Sequence, residues 1–263
     1  FRKALSLAID RDAVNEANYF GIGVPRQMSP PPSSSFYSPG LERAYVEHDP
    51  ARAMALLDDM GLTECSRSSA RLRPDGKPIK LFIETTARNS RVLELVAGYW
   101  TKVGVKTVVK EEARQLFYQR KRALMHDVGV WGGADEQIPV LDPRWFIPYS
   151  DESIQGIDYA RWYRTEGLRG ETPYPAVREA IELFWKIEET PDREEQIRLF
   201  REIARLNEEN LWVIGVIGGL PSIYLVSDSF RNVPHVAVSG WSFRAPGNTA
   251  IECYAIEGAT DGG

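Results

Sequence analysis

The chain has 263 residues, of which 43% are hydrophobic and 26% are charged, and its formal net charge is −5 at neutral pH. This length suits one large domain or two ordinary ones, and the apolar content supplies a sizeable core, which excludes a disordered chain. Lysine and arginine are scattered, and no apolar run reaches the roughly 18 to 20 residues of a membrane span. We therefore expect neither a nucleic-acid partner nor a transmembrane helix.

The chain opens inside a helical pattern, because FRKALSLAIDRDAV places Leu5 and Ile9 at helical spacing without a preceding methionine or cap. We therefore expect the natural start of the protein to lie upstream. A second helix is predicted from its ends, with Asp49 as the N-cap, Pro50 at the first helical position and Gly61 as the stop.

Strands and helices alternate in the next part of the chain, after a turn at residues 74–76 that predicts a hairpin. The pattern predicts strands over Ile79–Thr85, Val105–Lys110 and Asp127–Trp131, separated by helices over Ser90–Val103 and Arg114–Leu124. Leu116, Phe117, Ala123 and Leu124 are expected on the buried side of the second helix. Right-handed crossovers make such strands parallel, and ligands usually bind beyond the carboxyl ends of parallel strands.

The second half of the chain is mainly helical, with two helices predicted within residues 172–190 and 191–210. Its character changes near Asn210. The segment NLWVIGVIGGLPSIYLVS is apolar and strand-like, and it is broken by glycine and proline. We expect a boundary there, with the last fifty or so residues forming short strands that need a partner to pack against.

Common catalytic and cofactor motifs are missing from the sequence, which contains no phosphate-binding glycine loop, no GxGxxG after a strand and no GxSxG. His48, His126 and His235 lie far apart and lack metal-site spacing, and Cys65 and Cys253 form no CxxC pair. We expect no metal and no cofactor. Two cysteines allow either one disulfide or two free thiols.

The loop after the third predicted strand is rich in acids and aromatic residues. Asp135, Glu136 and Asp142 could form the carboxylate pair of a glycoside hydrolase, although loop acids more often form turns or caps. The aromatic residues that fall within about thirty positions are Trp131, Trp145, Phe146, Tyr149, Tyr159, Trp162 and Tyr163. Packing beneath the loop explains most of them. Trp131 instead ends a predicted strand beside two glycines, which favours a ligand contact.

Several segments in order resemble family 5 of the extracytoplasmic solute-binding proteins of ABC importers. They are the opening FRKALSLAIDRDAV, HDPARAMALLDDMGL (48–62), PDGKPIKLFI (74–83), VGVWGGAD with the following LDP, and LWVIGVIGGLPSIYLV. The resemblance implies an α/β fold of the periplasmic binding protein type (type II), with a β-α-β-α-β parallel core. It implies that residues 1–210 form the second lobe and that 211–263 cross the hinge and pack on a first lobe otherwise absent from the chain.

The resemblance also implies a function without chemistry, in which a monomeric, extracytoplasmic protein closes on a solute and delivers it to a membrane permease. We expect a peptide-like solute, with an oligosaccharide as the alternative within the family and a glycoside hydrolase or esterase as the rival class. In peptide-binding relatives an aspartate three residues after the signature tryptophan pairs with the peptide's amino terminus; here that position is Ala134. The candidate ligand contacts are Trp131, Gly132, Gly133, Asp135, Asn89, Ser90 and Trp145.

Overall fold

A computed structural model describes residues 1–86, 90–133, 136–240 and 242–257 of the chain. The α-helices are α1 (Arg2–Leu7), α2 (Arg11–Tyr19), α3 (Pro39–Arg43), α4 (Pro50–Asp58), α5 (Ser90–Lys102), α6 (Arg114–Arg122), α7 (Ile157–Arg164), α8 (Pro175–Glu189) and α9 (Arg193–Asn210). The strands are β1 (Val24–Pro25), β2 (Lys80–Thr85), β3 (Lys106–Glu111), β4 (Val128–Gly129), β5 (Ile217–Gly218), β6 (Phe230–Arg231) and β7 (Ala255–Ile256). Short 3₁₀ helices cover Pro143–Trp145, Gly247–Thr249 and Ile251–Cys253.

The predicted parallel core is confirmed, with β2 at the centre of a three-stranded sheet in the order β3-β2-β4. Ile83 of β2 lies between Val109 and Val128 in the register of the two parallel pairs. One face of the sheet is covered by α5, whose Val96 and Trp100 are buried in a core shared with α1, α2 and α4. This order brings the carboxyl ends of all three strands to one edge.

Helix ends follow the local signals well. The Asp49 carboxylate accepts a hydrogen bond of 2.9 Å from the Arg52 amide at the start of α4, and Pro50 is the first helical residue, as predicted. The helix ends slightly before Gly61, which has a left-handed φ of +79°. The predicted hairpin is present as antiparallel bridges that join Cys65 to Arg71 and Leu72 to Pro78.

Two details of the predicted core are wrong. The third strand is only Val128–Gly129, not Asp127–Trp131, because the chain turns away after the Val130 amide donates to the Glu84 carbonyl (3.2 Å). Leu116 and Leu124 are exposed by 45% and 49%. The helix ends at Arg122, before Leu124 is reached, and its buried residues are Phe117 and Lys121.

A second hydrophobic core lies between α7, α8 and α9. Of these, α8 and α9 are the two long helices expected in the second half. The loop aromatics enter it. Phe146 makes an edge contact with Phe200 at 5.1 Å, and Trp162 stacks on Trp185 at 6.0 Å between ring centroids. Packing therefore accounts for most of the aromatic cluster, as the sequence favours.

A buried arginine joins the N-terminal helices to the start of the C-terminal segment. Arg11 donates hydrogen bonds to the Gly215 carbonyl (2.8 and 3.1 Å) and to the carbonyls of Ser6 (2.9 Å) and Val46 (3.1 Å). Burial lowers the pKa of its guanidinium to about 10, which leaves it charged at neutral pH. Just beyond this contact β5 pairs antiparallel with β1, so the C-terminal segment starts from a fixed position.

The C-terminal segment has less regular structure than the strand-like sequence predicts. Only Ile217–Gly218 forms a strand in the apolar stretch, and β6 pairs with β7 further on. Leu225 and Val236 are exposed by 98% and 89%. Cys65 and Cys253 are both exposed and unpaired. Among the helices that the structure describes, none combines the length and apolar character needed to cross a membrane.

Candidate functional site

A large cleft lies at the carboxyl edge of the parallel sheet and encloses about 2710 Å³. One wall is formed by the ends of β2 and β3, the first turn of α6 and the loop that follows β4. Another wall is formed by parts of the C-terminal segment, within residues 219–226, 233–240 and 244–249. The first wall lies at the carboxyl ends of the strands, which is where parallel sheets usually bind ligands.

Trp131 lies on the sheet-edge wall of this cleft, as its position after the third strand predicts. Its ring stacks on Phe117 at 5.9 Å with an interplanar angle of 23°, and it meets Tyr118 edge-on at 5.4 Å. The side chain nevertheless remains 39% exposed. Trp131 is therefore held by α6 while part of its aromatic surface stays open to the cleft, an arrangement suited to stacking on a solute.

The two glycines after Trp131 also line the cleft, but they differ in what surrounds them. Gly132 has open space where a Cβ would lie. Gly133 has a φ of +117°, and a Cβ there would lie 2.8 Å from Cη2 of Trp145. Because only glycine readily adopts this conformation, Gly133 lets the loop pass directly over the Trp145 ring.

Trp145 was predicted as a ligand contact, and the structure gives it mainly a packing position. Its side chain is only 5% exposed and belongs to the core beneath the loop, although it also borders the cleft. Its Nε1 atom is buried without a hydrogen-bond acceptor among the described residues. A role in solute binding stays a prediction for this residue.

A cluster of charges joins the elements of the sheet-edge wall, and its member Glu112 also lines the cleft. Arg120 donates two hydrogen bonds to the buried Glu84 carboxylate, at 2.9 and 2.5 Å, and its Nε lies 3.4 Å from Glu112. Glu112 also pairs with Lys110. Hydrogen bonding to Arg120 is the main cause that lowers the pKa of Glu84, so this carboxylate is ionised at neutral pH. The cluster ties α6 to β2 and β3.

The remaining sequence candidates have different outcomes. Asn89 and Asp135 lie outside the described residues. Ser90 begins α5 and is half-buried, and it is not among the described residues that line the cleft. Asp142 precedes the short helix at Pro143–Trp145 and accepts a 2.6 Å hydrogen bond from Arg144 Nε, which agrees with a turn position. Across the described ranges, no three His, Cys, Asp or Glu side chains are grouped to hold a metal ion.

Sequence reasoning missed the contribution of the β3 end and the start of α6. Glu111, Arg114 and Tyr118 all line the cleft, and the Arg114 guanidinium lies 5.3 Å from the centre of the Trp131 ring. The signal was available, because β3 ends at the same sheet edge as the other two strands. The expectation that ligands bind beyond the carboxyl ends of parallel strands was applied only to the loops after β2 and β4.

Comparison with known proteins gives a consistent result. Residues 1–151 match the family described as bacterial extracellular solute-binding proteins, family 5 Middle. Among curated relatives, di/tripeptide-binding protein 3 of Pseudomonas aeruginosa is 26% identical over 164 residues, which is 61% of this chain and 28% of the relative. The chain thus spans less than a third of that relative's length.

Solved structures support the same fold. The oligopeptide-binding protein OppA superimposes with a TM-score of 0.80 and 33% sequence identity, over 98% of this chain and 43% of that one. A mannohexaose-bound periplasmic oligopeptide-binding protein of Thermotoga maritima gives a TM-score of 0.66 at 17% identity, over 89% of this chain and 43% of that one. The type II periplasmic binding protein fold predicted from the sequence is confirmed by these matches.

Proposed function

Because the chain belongs to family 5 of the bacterial extracellular solute-binding proteins, we propose that it carries one wall of the solute cleft in an ABC importer's binding protein. The observation that carries the proposal is the cleft at the carboxyl edge of the sheet, with the partly exposed Trp131 on its wall. The protein binds its solute there and delivers it to a membrane permease. It acts outside the cytoplasm, as a monomer, and performs no chemistry.

A peptide-like solute is the first candidate. Curated relatives are named as dipeptide- and di/tripeptide-binding proteins, and the OppA match covers nearly the whole chain. An oligosaccharide is the second candidate, because an open tryptophan face suits a sugar ring as well as a peptide side chain. The mannohexaose-bound neighbour adds that the fold can hold such a ligand.

The exposed apolar residues of the C-terminal segment support the proposed division into lobes. Residues 1–210 form the second lobe, and 211–263 return to the first lobe, most of which comes from other parts of the protein. Side chains such as Val238 and Ile256 are apolar, do not line the cleft and are exposed by 51% and 53% here, and they would be buried against that lobe. The cleft then lies between the two lobes, and closure removes the solute from water.

Calorimetry on the full-length protein at neutral pH tests the function with two probes, trialanine and a mannose hexasaccharide. Saturable binding of the peptide supports the first candidate, and binding of the hexasaccharide alone supports the second. The isolated 263-residue chain should bind either probe at least tenfold more weakly, because half of the contacts are missing. Equal affinity for the isolated chain and the full-length protein would contradict an interlobe site.

A further inference from the structure

The arginines on the sheet-edge wall of the cleft differ in whether a carboxylate pairs with them. Arg122 Nε lies 3.1 Å from an Asp151 carboxylate oxygen, and Arg144 Nε lies 2.6 Å from Asp142. For Arg114, no carboxylate of the described residues comes within ion-pairing distance. A guanidinium carries a positive charge at physiological pH, so Arg114 presents to the cleft a charge that no carboxylate of the described residues pairs.

Aromatic rings hold this guanidinium in place. Its central carbon lies 5.3 Å from the Trp131 ring centre and 5.7 Å from that of Tyr118. Cation-π contacts of this kind attract the charge to the ring faces and restrict a long, flexible side chain before any ligand arrives. Less ordering is then required on binding, which favours a two-pronged hydrogen bond to a carboxylate.

Nearby acids do not cancel the charge directly. Glu112 also lines the cleft, but it pairs with Lys110 and lies 3.4 Å from Arg120. Glu111 is exposed at the end of β3 and also lines the cleft. It offers the rival possibility, in which this wall selects a cationic group.

We propose that Arg114 binds a carboxylate of the solute beside Trp131, so that the cleft selects solutes carrying an anionic group next to an apolar or planar one. This inference rests on the proposed solute-binding function and narrows its substrate class. The Trp131 ring contacts the uncharged part of the solute, and the guanidinium contacts the carboxylate.

The test uses calorimetry on the full-length protein with two matched pairs of probes. Trialanine is compared with its C-terminal amide, and a galacturonate oligosaccharide is compared with a neutral galactose oligosaccharide of equal length. In the unaltered protein the carboxylate-bearing member of a pair should bind about 10- to 100-fold more tightly, the range expected for a charge-assisted hydrogen-bonded pair. Arg114→Gln should remove this preference, so that the two members of a pair bind with similar affinity. Arg114→Lys should restore only part of it, because lysine keeps the charge without the planar fork.

Arg178→Gln is the matched control, because Arg178 also lies over a tryptophan, at 5.1 Å from the Trp162 ring centre, but its ion pair is with Glu182 and it does not line the cleft. It should not alter either preference. If only the galacturonate binds and Arg114→Gln abolishes that binding, the peptide proposal fails and the Arg114 inference stands. The inference would be overturned if the members of each pair bound equally, if only neutral probes bound, or if no probe bound. It would also be overturned if Glu111→Gln abolished binding and Arg114→Gln did not.

Discussion

Replacing Trp131 by alanine separates its two possible contributions, to solute binding and to stability. A buried aromatic side chain covers about 150 to 250 Å², and 39% of Trp131 is open in the unliganded cleft. A solute can therefore cover about 60 to 100 Å² more, which at ~25 cal/mol per Å² contributes about 1.5 to 2.5 kcal/mol. Trp131→Ala should weaken solute binding by roughly 10- to 70-fold.

The stability effect of the same change should be moderate. The covered part of the ring rests mainly on Phe117 and Tyr118 at the surface of α6, so we expect a loss of about 1 to 2 kcal/mol in the free energy of unfolding. Trp162→Ala is the control, because that indole also stacks on an aromatic ring but is buried away from the cleft. It should cost about 3 to 5 kcal/mol of stability.

Urea unfolding and calorimetry on the full-length protein measure the two effects separately. The cleft assignment requires that Trp131→Ala lower affinity at a temperature where the protein remains folded. If the variant binds as tightly as the unaltered protein but loses more than about 3 kcal/mol of stability, Trp131 is a core residue and the stacking argument is refuted.

Other substitutions test neighbouring features. Gly133→Ala should cost about 1 to 3 kcal/mol of stability and weaken solute binding, because φ is +117° and the new methyl meets an indole ring, whereas Gly132→Ala should be tolerated in thermal unfolding. Arg120→Gln should lower the free energy of unfolding at pH 7, because it removes the two hydrogen bonds to the buried Glu84 carboxylate. The pKa of Glu84 is depressed in the folded state, so this stabilisation exists above the unfolded pKa and is lost as pH falls below about 4. If the difference in unfolding free energy between the unaltered protein and Arg120→Gln stayed constant down to pH 3, the pairing would be contradicted. No glycoside or ester should be hydrolysed, because the sequence shows neither an activated nucleophile nor a histidine near any candidate one, and turnover that Asp135→Asn or Asp142→Asn abolished would refute this.

The parallel core could be predicted because its signals are local. The first two apolar strands and the Asp49-Pro50 start of a helix each depend on a few neighbouring residues, and the structure places them close to the predicted positions. The face of α6 was harder to predict. Its apolar residues are few and its last turn is basic, so the burial of Phe117 over Leu116 depends on contact with Trp131, fourteen residues away.

The candidate site was predicted in part for the same reason. Trp131 and the two glycines could be placed on the cleft wall because ligands bind beyond the carboxyl ends of parallel strands, and this needs only strand order and direction. It could not reveal the bond between Glu84 and Arg120, which joins residues 36 positions apart, or the absence of an acidic partner for Arg114 within the described residues. Such pairings depend on three-dimensional side-chain positions.

The buried contact between Arg11 and Gly215 determines where the chain can bend. Gly215 is enclosed so tightly that a Cβ would lie 2.6 Å from the Arg26 carbonyl oxygen, and its own carbonyl is held by two hydrogen bonds. The two residues of β5 are paired with β1 directly afterwards. If the cleft wall formed by the C-terminal segment rotates, the backbone has to change conformation at Gly219 or beyond it. At Gly219 φ is +65°, and the chain leaves its pairing with β1. We therefore expect any opening motion to turn about a point close to that glycine, with Trp131 and Arg114 staying fixed relative to the N-terminal helices.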